Sequence, residues 1–159
     1  MKVAGLGPVS WCMSHETVVA DQAAWERTCP DAITSDAIWS LDAYRASLYL
    51  LDLSRGDMRL AGKLHLDFGL RGQLLQAAGS VGANLAEGYS RSTRADRLRF
   101  YCYALGSVRE CLIRYHAVAD ELPATVFQDR LLLLARVRSL LLGLIRSTRG
   151  CTQRSPFEP

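Results

Sequence analysis

Between residues 68 and 87 the side chains sort into three lines, each recurring every three or four positions. Leu74, Ala78, Val81 and Leu85 make an apolar line with the a/d spacing of a packed helix. Gly72, Gly79, Ala83 and Ala86 make a line of small residues, and Gln73, Gln76, Ser80, Asn84 and Glu87 a polar one. A strand has two faces, whereas an α-helix carries three lines about 120° apart. Glycine inside a helix costs about 0.8–1 kcal/mol relative to alanine. The small line therefore reads as a packing surface, where dispersion contacts with a close neighbouring helix compensate. The polar line holds amides, a hydroxyl and one carboxylate rather than lysines. That makeup suits a partly buried hydrogen-bond network, with Ser107 and Glu110 of the following helix as expected partners. A plain solvated face is the alternative. Gly88 is expected to close the helix as its C′ residue.

The flanking segments are helical as well. Ser35 can cap a first helix, with Ala37, Leu41, Tyr44, Leu48 and Leu51 on one face and Trp39, Leu50 and Leu53 nearly opposite. Ser54-Arg55-Gly56 is expected to end it, leaving 57–67 as a connector. Thr93 with Asp96 resembles a capping box opening a third helix that runs to about Leu122, and Thr125 with Gln128 a second box opening a fourth that runs to about Arg149. No strand pattern competes. Four helices with short connections imply an all-α, antiparallel up-down-up-down four-helix bundle over 35–150. Residues 1–34, with Gly5, Gly7, Pro8 and Pro30, are expected to form a poorly ordered extension, and 151–159 a flexible tail. The fourth helix is apolar over more than half its circumference and the first on two faces. A helix in a monomer needs a stripe only about 100° wide, so the surplus predicts a homo-oligomer.

The block Ser80-Val81-x-Ala83-Asn84-Leu85-Ala86-Glu87-Gly88, followed by Ala104-Leu105-Gly106-Ser107-x-x-Glu110, resembles the four-helix bundle proteins encoded in intervening sequences of bacterial 23S rRNA genes. Their relatives include the accessory variability determinants of diversity-generating retroelements. The likeness extends over about 36–149, most loosely in "IWSLDAYRASLYLLDL". It implies a bundle assembled into a ring-like pentamer, with no established enzyme activity. The retroelement branch further implies a basic surface for nucleic acid and a reverse transcriptase partner. Two departures stand out. Gln76 occupies the place of an arginine that the family carries before its double alanine, and Lys63-Leu64-His65-Leu66-Asp67 replaces the usual proline entry to the second helix.

Charge and chemistry narrow the function classes. Residues 88–159 carry twelve basic and six acidic side chains, every basic one an arginine, while the whole chain is only +3. Arginine forks match phosphate geometry, although a GC-rich coding sequence produces the same bias. Arg91, Arg94, Arg97 and Arg99 cluster before and within the start of the third helix, and Arg136, Arg138, Arg146 and Arg149 lie along the fourth. The first cluster is the expected nucleic-acid-binding site for RNA or DNA. Without aromatic residues interleaved in the sequence, contacts are expected to be backbone-directed.

No Ser-His-Asp set, Cys-His pair or phosphate loop has usable spacing, so no enzyme is expected. Glu87 and Glu110 lack the Glu-x-x-His pattern of a di-iron bundle, and neither metal nor cofactor is expected. Five cysteines without a CxxC pair suit reduced thiols in the cytoplasm. No apolar run approaches the roughly 18 residues of a membrane span. Two readings remain: an oligomeric nucleic-acid-binding accessory protein that serves a reverse transcriptase or RNA, or a structural adaptor bundle that binds a protein without nucleic acid.

Overall fold

The computed structural model describes residues 15–61 and 68–150. Among these residues every regular element is helical. Six α-helices follow in order: α1 (His15–Glu26), α2 (Asp31–Thr34), α3 (Asp42–Ala61), α4 (Phe68–Tyr89), α5 (Arg94–Ala117) and α6 (Ala124–Gly150). The four long ones pack in a closed cycle, α3 on α4, α4 on α5, α5 on α6 and α6 on α3. Neighbours run antiparallel. Gly82, late in α4, faces Ser47, early in α3, while Gly88 at the end of α4 faces Tyr101 near the start of α5. The core runs through all four, and the predicted apolar line Leu74, Ala78, Val81 and Leu85 is wholly buried in it.

Several boundaries differ from the sequence reading. Ser35 does not cap a continuous first helix. Asp36 accepts the Ile38 amide at 3.0 Å and caps a single 3-10 turn, Ala37–Ser40, and the extended Leu41 separates that turn from α3. Nor does Gly56 end α3, which continues to Ala61. The helical spacing of buried groups passes straight through it, with Ser54, Asp57 and Met58 all inside. Gly88 is not a C′ residue but lies within α4, buried. A Cβ there would come within 2.7 and 2.9 Å of Tyr101 ring carbons, so close packing of α5 explains this glycine.

The small line is a packing surface in part. Gly82 approaches Ser47 and Leu48 of α3 and Gly79 touches Leu51, but Gly72 meets nothing and Ala83 is exposed. Thr93 caps α5 as expected, accepting the Asp96 amide at 3.1 Å while its hydroxyl donates to the Asp96 carboxylate at 2.7 Å. The second box does not form. α6 begins at Ala124, with Phe127 N–H donating to Pro123 O, so Thr125 already sits in the first turn.

The expected N-terminal extension falls partly on 1–14, outside the described residues, as does the 151–159 tail. The described part of that extension, from residue 15 on, contains α1 and α2. α1 lies against α3 and α6. Trp25 stacks between Trp39 and Tyr49 at centroid distances of 6.5 and 5.3 Å and donates its indole N–H to Asp52 at 3.2 Å. Gln22 is buried and accepts from Arg136 of α6, and Glu26 pairs with Arg45 at 3.1 Å. Part of the second apolar face of the first long helix is thus covered by the chain's own α1.

Candidate nucleic-acid interface

The short link between α4 and α5 carries the arginine cluster, and its geometry divides the four residues into two kinds. Arg94 reaches across to the last turn of α6 and donates to the Arg149 carbonyl. The last carbonyls of a helix have no partner within it and favour a cation, so Arg94 ties the end of α6 to the start of α5. Arg97 donates to the Arg91 carbonyl at 2.8 Å and holds the link itself, while its buried Nε has no acceptor. Arg91 and Arg99 point outward, with about half of each side chain exposed. Arg91 pairs with Glu87 and Arg99 with Asp96, the latter at 3.1 Å. Both guanidiniums also sit over the ring of Phe100, 5.0 and 5.4 Å from its centroid.

The fold therefore unites arginines that the sequence lists in separate groups. Arg94 and Arg97 share a cleft of about 330 Å³ with Ser147 and Thr148 of α6. With Arg91 and Arg99 these make four cations beside two carboxylates, Glu87 and Asp96, among the described residues at this end of the bundle. Arg136 belongs elsewhere, since it is turned to Gln22 of α1.

The polar line of α4 is satisfied locally. Asn84 donates to the Ser80 carbonyl at 2.8 Å, one turn back, and Ser107 donates to the Tyr103 carbonyl at 3.2 Å. Glu87 takes Arg91, and Glu110 stands exposed beside a polar cleft shared by Gln73, Gln76, Ser80 and Arg114. Ser80 and Glu110 thus line one cleft between α4 and α5, and the side-chain hydrogen bonds of Asn84 and Ser107 run within their own helices.

The buried polar network lies elsewhere, where the sequence reading did not look. Tyr115 of α5 donates to Asp57 Oδ2 of α3 at 2.8 Å. Arg130 of α6 grips the same carboxylate with two hydrogen bonds, at 2.8 and 3.0 Å. Ser54 Oγ lies 2.8 Å from the Tyr115 oxygen. Ser54 donates its hydroxyl proton to the Leu50 carbonyl at 2.7 Å, one turn back in α3. Burial, then the Asp57 charge, raises the Tyr115 pKa. Burial alone would lower that of Arg130, but its hydrogen bonds and charge pairing with Asp57 outweigh this and the net shift is upward.

Among the described residues no three His, Cys, Asp or Glu side chains gather closely enough to hold a metal ion, and no helix is long and apolar enough to cross a membrane. Cys102 is exposed and Cys111 buried.

Fold and surface together define a helical bundle with an arginine-rich end. The family model of the 23S rRNA-intervening sequence protein matches residues 58–122, which take in the end of α3, all of α4 and α5, and the turn that follows. Among solved structures, the chain is similar to a protein of unknown function from the S23 ribosomal protein family of Bacteroides thetaiotaomicron VPI-5482. The two are 18% identical with a TM-score of 0.62, over 65% of this chain and 98% of that one, a likeness of fold. No curated protein matches.

Proposed function

We propose that this protein is a non-enzymatic, oligomeric helical bundle that binds the backbone of RNA or DNA through the arginine-rich end built by the α4–α5 link and the last turn of α6. The observation that carries the reading is the meeting of Arg94 and Arg97 with Ser147 and Thr148 around one cleft, beside the outward-facing Arg91 and Arg99. Guanidinium donors of this kind position a phosphodiester and carry no sequence information. The similarity of the central helices to the 23S rRNA-intervening sequence protein supports the same direction. A reverse transcriptase is the protein partner that goes with this reading.

Oligomerisation, as a ring-like pentamer, belongs to the proposal too. Its support is the outer face of α6, where Leu142 is exposed and Gly143 has open space around it, next to a groove between Leu41, Ala43, Leu140 and Leu144. Repeating the arginine end around an axis multiplies affinity without a new contact. Titration of duplex and single-stranded RNA at low salt tests the binding, with light scattering on the same sample. A monomer that binds neither nucleic acid leaves the protein-adaptor reading in its place.

A further inference from the structure

Resting on the nucleic-acid reading above, we infer that the surface selects single-stranded over duplex nucleic acid, by stacking an unpaired base on Tyr103. Phe100 and Tyr103 follow the arginines directly in the sequence, and the helix brings them onto one face. Positions 96, 99, 100 and 103 fall on one stripe of α5, and Arg91 is folded against that stripe from the α4 end. The result is a continuous cluster of Arg91 and Arg99 over the Phe100 ring, with Tyr103 edge-on to Phe100 at 5.9 Å and 89°.

Within the cluster Phe100 is occupied by the two guanidiniums. Tyr103 is 53% exposed, and among the described residues no cation lies over its ring and its phenol has no acceptor. An exposed aromatic held rigidly on a helix, flanked by cations that follow a backbone, is the arrangement that binds single strands. Stacked bases inside a duplex have no free face to offer such a ring. The adjacent arginines supply the phosphate contacts and Tyr103 the base platform, so the occupant is a flexible strand with at least one unstacked base.

Anisotropy titrations with the full-length protein at low salt test this, using a labelled oligouridylate, an abasic strand of equal length and a short RNA duplex. Tyr103→Ala should weaken oligouridylate binding by about tenfold or more and leave duplex binding unchanged. Tyr103→Phe, which keeps the ring, should bind as the parent does. The parent should hold the abasic strand as weakly as Tyr103→Ala holds oligouridylate. If Tyr103→Ala binds oligouridylate like the parent, stacking is overturned while the backbone reading stands. If the parent binds none of the three, both readings fall. A Tyr103→Ala protein that loses mass by light scattering would assign the ring to a contact between copies instead, and would also overturn the proposal.

Discussion

Tyr115 and Asp57 meet at 2.8 Å inside the bundle, joining α5 to α3 at the level where Arg130 of α6 holds the same carboxylate. Both oxygens of Asp57 are engaged by buried groups, so removing it strands a guanidinium that is itself only 13% exposed. Breaking a buried pair by deleting one partner costs about 3–5 kcal/mol. Asp57→Ala should lose an amount in that range in urea denaturation. Tyr115→Phe, which keeps the ring and leaves Arg130 in place, should lose about 1–2 kcal/mol. Equal, small losses for both would mean that the network is not a structural tie.

A Cβ at Gly88 would press against the Tyr101 ring at 2.7 and 2.9 Å. Tyr101 is 2% exposed and cannot swing aside when a methyl group is added at Gly88. Gly88→Ala should destabilise by about 1–3 kcal/mol, the usual range for overpacking. Gly72→Ala, with open space around it, should instead stabilise by several tenths of a kcal/mol through helix propensity. Thermal melts of the two variants should move in opposite directions.

The polar line of α4 should contribute little to stability. Glu87 and Arg91 are 43% and 45% exposed, and surface pairs of this kind are worth about 0–1 kcal/mol. Glu87→Ala should therefore shift the melting midpoint only slightly. Asn84→Leu loses one bond to its own helix and should fall in the same range. A loss above about 2 kcal/mol for either would restore the interhelical network that the sequence suggests.

Alkaline pH should weaken the fold. Burial, with the Glu110 charge adding to it, pushes the Cys111 thiol from its ordinary 9.0 up to about 12. Burial also raises Tyr115. In both cases the folded pKa lies above the unfolded one, so the stability these groups hold is intact below the unfolded pKa. For Cys111 it is lost as pH rises through the window from 9.0 to about 12, and for Tyr115 the loss begins only above its ordinary 10.0. The melting midpoint should be flat up to the lower edge of that window and then fall, less steeply in Cys111→Ala. Near neutral pH exposed Cys102 should react with thiol reagents while Cys111 stays protected until unfolding.

What could be read from the sequence and what could not follow from distance along the chain. The capping pair Thr93–Asp96 and the buried line Leu74, Ala78, Val81 and Leu85 are local patterns, and both stand in the fold. The Asp57 network joins residues 58 and 73 positions apart, and no local period announces such a contact. One signal pointed to it. Ser54, Asp57 and Met58 continue the helical spacing of α3 past Gly56, which argues against ending the helix there. α1 was hidden by the glycines and prolines around it, although Trp25, opposite the unpartnered Trp39 face, was a clue to where it docks. Arg99, Phe100 and Tyr103 are neighbours along α5, but Arg91 joins them only when the α4–α5 link turns it back onto Phe100.

The central claim is that the arginine end contacts phosphates, and the salt dependence of binding tests it most directly. Each phosphate contact contributes about 0.9 to the slope of log affinity against log salt on duplex and about 0.7 on single strands. Arg91→Gln/Arg99→Gln removes the two outward guanidiniums and leaves Arg94 and Arg97 on their backbone carbonyls, so the fold should persist. The parent should bind RNA at low salt with a steep slope, and the variant should bind more weakly with a slope shallower by about one to two. A folded variant with the parent's affinity and slope would contradict the account.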